Sequence, residues 1–135
     1  MVTVSSAWQS IYNAISSNVS DPLSRGEKWI FGSYPDVYAK DFPGFPIIVI
    51  QPVSKSEKDY DVGTSSKKEQ VIVSQIEIYS KSASQADSLV DSVLSAVEDV
   101  SLYDKVVERV EYSFEDVAGS NVHVRVILVR WVVYA

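Results

Sequence analysis

The sequence predicts an α+β fold: a mainly antiparallel four-stranded sheet with two helices packed on one face and a long hairpin loop. Three observations carry that expectation. Two segments place apolar residues at the i, i+3, i+4, i+7 spacing of a buried helical stripe. Four others are rich in β-branched residues, partly with period-two alternation. The strands fall into two hairpins joined by the second helix, an order that leaves more than one antiparallel or mixed arrangement open. The 135 residues fit one domain, 1–135, on the usual size of a globular core.

Ser5 and Ser6 can cap a first helix, whose residues Trp8, Ile11, Tyr12, Ile15 and Val19 share one stripe. Asp21-Pro22 ends it, because proline disfavours helical geometry in the residue before it. Leu23–Pro46 is irregular, punctuated by Gly26, Gly32, Pro35, Pro43, Gly44 and Pro46. Its aromatics (Trp29, Phe31, Tyr34, Tyr38, Phe42, Phe45) read as a packed connector rather than a free linker, with room for a short strand around Trp29–Phe31. Ile47–Val53 (IIVIQPV) is a strand, and Pro52 puts its far end at an edge or bulge. Lys55–Lys68 is polar and of mixed charge, which fits a long exposed hairpin loop or arm. Gln70–Tyr79 is a second strand, with Ile72, Ser74, Ile76 and Ile78 on one face and Val71, Val73, Gln75, Glu77 and Tyr79 on the other.

Ser82 caps the second helix, and Gln85 completes a capping box. Ala86, Leu89, Val90, Val93, Leu94 and Val97 form its stripe, while Asp87, Asp91, Glu98 and Asp99 lie toward water. The last third is a hairpin. Val110, Tyr112 and Phe114 alternate with Arg109, Glu111, Ser113 and Glu115, then Ala118-Gly119-Ser120-Asn121 turns the chain. The returning strand is apolar on both faces: Val124, Val126 and Leu128 on one, Ile127, Val129, Trp131 and Val133 on the other. Two helices on one side cover only one of these faces. The second cover is either the Leu23–Pro46 segment folded over the back or a subunit interface, since large exposed apolar patches usually mark contacts.

Composition excludes several classes of function. The 46% hydrophobic and 22% charged content is that of a globular chain, not a disordered one. The absence of cysteine removes disulfide scaffolds, thiolate zinc sites and thiol nucleophiles. His123 stands alone, so no single-chain site uses two imidazoles. Twelve basic against 18 acidic residues give a net charge of −6, the wrong sign for whole-surface attraction to nucleic acid. No basic, apolar leader opens the sequence, and no apolar run of ~20 residues could span a bilayer. The expectation is a soluble protein with no membrane partner.

Catalytic patterns fare no better. Nothing places a nucleophile–base–acid triad around His123, which reads as a strand surface residue. Asp59-Tyr60-Asp61-Val62-Gly63 has its glycine at the fifth position, where a calcium loop needs it at the sixth. Asp87 and Asp91, one helical turn apart, are a common solvated pair. No glycine-rich phosphate loop exists. No catalytic residue, cofactor or metal is expected.

Four phrases, in this order, resemble the tail terminator (tail completion, head-tail joining) proteins of long-tailed bacteriophages and related archaeal viruses. These are the N-terminal amphipathic helix SAWQSIYNAISSNV; the proline- and aromatic-rich approach to a strand, FPGFPIIVIQ; the strand running into a helix, QVIVSQIEIYSKSASQADSLVDSVLSAV; and the aromatic-bearing closing strand VRVILVRWVVYA. The resemblance implies a virion protein, made in the host cytoplasm, that closes into a ring, commonly a hexamer, on the tail tube protein. Such a ring stops tube growth and offers the head-tail connector protein a docking face, and DNA passes through its lumen unread. A ring needs a heterologous contact. The first candidates are Arg125, Ile127, Val129, Arg130, Trp131 and Val133; the second are Lys55, Lys58, Asp59, Lys67 and Lys68 of the arm. On this reading Trp131→Asp blocks assembly rather than folding. The alternative is a small cytosolic α+β module that binds a ligand or peptide in a pocket lined by Trp29, Tyr34, Phe42 and Phe45.

Overall fold

The computed structural model describes residues 4–26, 28–62, 65–98, 100, 105–117 and 120–134. In chain order the elements are α1 (Val4–Asn18), β1 (Ile30–Phe31), β2 (Ile47–Ile50), β3 (Ser54–Val62), β4 (Ser65–Ser80), α2 (Ala83–Val97), β5 (Lys105–Val117) and β6 (Ser120–Tyr134). The fold is α+β. The sheet runs β1-β2-β4-β6-β5, with β3 also paired to β4. Its strands are mostly antiparallel, and β1 joins β2 in parallel.

The sheet has six strands where the hydrophobic pattern marks four. Ile30–Phe31 accounts for one, lying beside Ile48 and Val49. The other is a correction: the polar segment foreseen as a loop is extended. Its backbone pairs along its length, from Ser54 opposite Val73 to Val62 opposite Ser65. Register sets Lys58 opposite Glu69 and Asp59 opposite Lys68. Hydrophobic periodicity cannot detect a hairpin made of polar residues. Gly63 lies outside the described residues, as do Asp99, Ala118 and Gly119. Pro52, which can donate no ladder hydrogen bond, sits in the break between β2 and β3, both of which pair with β4.

Helix α1 buries Ala7, Ile11 and Ile15 completely, one residue per turn along a single stripe. It is already helical at Val4, so Ser5 and Ser6 lie within its first turn rather than at its cap. Trp8 stacks on Tyr12 with ring centroids 5.0 Å apart. Its indole donates to the Ile50 carbonyl at 3.0 Å, which ties the helix to the end of β2. A Cβ at Gly32 would lie 3.1 Å from the Trp8 ring, so a larger residue there makes the ring give by a few tenths of an ångström.

The α2 cap is half as expected. Ser82 Oγ accepts the Gln85 backbone N–H at 3.3 Å. The Gln85 side chain does not return to the Ser82 amide; Ser80 Oγ stands between them. It accepts that N–H at 3.1 Å and donates to Gln85 Oε1 at 2.7 Å. Both helices cover the same face of the sheet. Ile11, Ile15, Leu89 and Val93 pack with Ile48, Ile72, Ile76, Ile127, Val129 and Trp131 in one cluster.

The connector is fastened by Arg25. Its guanidinium meets the Asp21 carboxylate at 2.9 and 3.1 Å and donates to the Gly44 and Pro46 carbonyls at 2.8 and 2.6 Å. Gly44 takes φ +83° at this corner, just before the cis Phe45–Pro46 bond, a conformation that suits glycine. Burial alone would raise the Asp21 pKa, but hydrogen bonds from the Arg25 side chain and from the Leu23 and Arg25 amides outweigh it and hold the group at about 2.

Candidate assembly surface

Strands β4 and β6 lie side by side through twelve register pairs, from Glu69 opposite Tyr134 to Ser80 opposite His123. Because side chains alternate, each strand offers one face to the helices and one to the other side. The helix side takes the larger groups: Ile72, Ile76, Ile78, Ile127, Val129 and Trp131 are all fully buried. The outer side divides in two. At one end the connector folds over it, and Phe31, Phe42 and Phe45 pack on Ile47, Val49, Tyr79, Val122 and Val124. Val126 packs on that cluster too, while at the other end Val71, Val73, Leu128 and Val132 are only half-buried. Of the two covers foreseen for the doubly apolar strand, the chain's own connector blankets one half and leaves the other partly exposed.

The bare half holds a trough of about 380 Å³ lined by Gln51, Pro52, Ser54, Val73, Gln75 and Leu128. Behind its amides lies Glu77, 9% exposed. Its carboxylate accepts from Gln75 Nε2 at 2.7 Å, Tyr79 Oη at 2.9 Å and Gln51 Nε2 at 3.3 Å. These donors are neutral, so hydrogen bonds rather than an ion pair offset its desolvation.

The predicted contact residues divide accordingly. Ile127, Val129 and Trp131 are a correction: they are core beneath the helices and offer nothing to a neighbour. Arg125 is 7% exposed and is held within the chain by Asp87 Oδ1 at 2.9 Å and the Val124 carbonyl at 3.2 Å. Arg130 lies on the outer side between Val73 and Val106 in register and is half-buried. Val133 pairs with Gln70, and its side chain lies outside the described residues. Lys55, opposite Ile72, is half-buried. Lys58, Asp59, Lys67 and Lys68 lie in the hairpin, where Lys58 pairs with Glu69, Asp59 with Lys68 and Tyr60 with Lys67.

Period-two counting sorts the outer residues correctly but does not say which face the helices choose. Residue size is a partial signal: Ile72, Ile76, Ile78, Ile127 and Trp131 go to the helix side, but Val129 joins them, and Ile47 and Tyr79 lie on the other. The aromatic pocket of the alternative reading does not form. Trp29 joins the helix-side cluster, Phe42 and Phe45 meet edge to face at 5.3 Å on the outer side, and Tyr34 packs against Tyr79 at 5.2 Å. Among the described residues no group of three or more His, Cys, Asp or Glu could hold a metal ion. No described helix is long and apolar enough to cross a membrane.

Comparison with known proteins adds two findings. A family model described as tail completion protein gp17 matches residues 30–134, from the first strand to the last. A solved chain titled "Virion of native gene transfer agent (GTA) particle" has a similar fold, with a TM-score of 0.54 at 12% identity over 98% of each chain. No curated protein matches the sequence.

Proposed function

The chain belongs to the family of tail completion protein gp17, and from that membership we propose that its copies close into a ring, a hexamer, on the end of a tail tube. It is a structural tail protein, and its place is the virion. In the proposed role the ring stops tube elongation and gives the head-tail connector a face to dock on, after assembly in the host cytoplasm. The observation that carries this is the bare half of the sheet's outer side. Val71, Val73, Leu128 and Val132 stay partly exposed on a chain that elsewhere covers the same face with its own connector. Aliphatic groups left partly open beside the amides of Gln51 and Gln75 are what a subunit contact would cover.

Charge supports the same role. The net charge of −6 repels a polyanion at long range, so DNA in a lumen lined by this protein would pass without sticking. No reaction is proposed, because the family is a structural one and the trough offers amides, a proline and aliphatic groups.

The role is tested by adding the purified protein to tail tube protein while it polymerises. Tubes should stop at shorter lengths as the dose rises, and the protein should co-sediment at one end of each. Unchanged lengths with the protein left in the supernatant would overturn the proposal.

A further inference from the structure

We infer that Glu77 sets the hydrogen-bond polarity of the trough on the outer side, so that the surface it receives must present N–H donors on an apolar body. That surface belongs to the neighbouring copy, a step that rests on the ring reading; the polarity itself does not. An ionised carboxylate accepts hydrogen bonds and donates none, so every polar side chain that meets Glu77 must turn a donor toward it. Gln75 does so with Nε2 at 2.7 Å, Tyr79 with Oη at 2.9 Å and Gln51 with Nε2 at 3.3 Å. Glu77 and Tyr79 are both buried, where an acceptor left unmet is costly.

Glu77 does not line the trough, but the two glutamines do, together with Pro52, Ser54, Val73 and Leu128. Nitrogen and oxygen share one carbon in each amide, so a nitrogen turned to Glu77 turns the oxygen away from it. Both glutamines are half-buried, and no donor among the described residues meets either Oε1. Turning an amide over would set its carbonyl oxygen against the carboxylate. The trough therefore holds two carbonyl oxygens in a fixed direction, beside the aliphatic groups of Val73 and Leu128. Ser54, whose hydroxyl can give or take a hydrogen bond, does not oppose them.

Net charge does not make this choice. Arg130 stands on the same outer side, opposite Val73 in register, and offsets the carboxylate. Selection falls to hydrogen-bond direction. An N–H group brought into the trough meets carbonyl oxygens, whereas a carbonyl or carboxylate would leave acceptors facing acceptors with water excluded.

Neutral probes test the polarity on the protein as it stands. Pyrrole carries one N–H donor, N-methylpyrrole is the same ring without it, and cyclopentanone is an acceptor of similar size. In nitrogen-15 NMR titrations read at the Gln51 and Gln75 side-chain amides and the Leu128 backbone amide, pyrrole should half-saturate at about fivefold lower concentration than either of the others, the ratio that one net hydrogen bond gives. Glu77→Gln puts a donor where an acceptor oxygen stood and should abolish or invert that ratio. Tyr79→Phe removes a buried donor but leaves both glutamines on the carboxylate, so it should keep the ratio. Urea unfolding checks that both variants fold. Equal affinities in the wild type, or the same preference in folded Glu77→Gln, would overturn the assignment. Light scattering tests the source of the donors: rings weakened in Glu77→Gln and kept in Tyr79→Phe support the neighbouring copy, and full-strength rings in Glu77→Gln overturn it. A wild type that prefers pyrrole yet forms no ring, free or on tubes, would overturn the ring reading and leave the polarity standing.

Discussion

Arg25 shows how a single side chain decides whether half of the sheet is covered. Its guanidinium fills its donor fork with one carboxylate and the carbonyls of the turn that carries Phe42 and Phe45 onto the outer side. Bidentate arginine pairing of this kind is stronger and more directional than a lone surface ion pair. Asp21 answers it, with its pKa lowered to about 2. A carboxylate whose folded pKa is depressed adds stability above its unfolded pKa and loses it as the pH falls through the folded value. Asp21→Asn should therefore lower Tm by several degrees at pH 7. The two proteins should converge between about pH 4 and pH 2, as the wild-type carboxylate is neutralised. Thermal unfolding followed across that range checks this, and a gap undiminished at pH 2 would mean that the pair acts by packing rather than charge.

Strand β6 shows how two apolar faces of one element do different work. Trp131 is fully buried, so Trp131→Asp places an uncompensated charge in the helix-side core and should cost upwards of ~4 kcal/mol. Leu128, three residues away on the opposite, half-open face, should tolerate aspartate within about 1 kcal/mol while losing assembly. Urea unfolding beside light scattering separates the two effects. This reverses the expectation for Trp131 drawn from the sequence. The α1 and α2 stripes and the apolar strands were legible, because each carries a periodicity that burial imposes. The doubly apolar closing strand was also legible as a strand needing two covers. Which cover lay on which face was not, because alternation fixes the relation between the faces but not their assignment to helices or solvent. The β3–β4 hairpin was readable as an arm but not as paired strands, since a polar segment carries no apolar alternation. Which strands lie side by side follows from strand order, which no local pattern contains.

At the scale of the whole molecule, a sheet covered fully on one side and half on the other has a built-in direction. In the proposed ring, identical copies follow one another around a circle through a head-to-tail contact. The family places the chain in the tail, and the ring proposed for it remains a matter of mass. Mass tests this most directly, measured by native mass spectrometry or light scattering on the free protein and on the species released from tube ends. A single closed multiple of 15.0 kDa, six copies, reduced to one copy by Leu128→Asp in a protein that still folds, is the predicted result. One copy in both states, with wild type and Leu128→Asp alike, would contradict it.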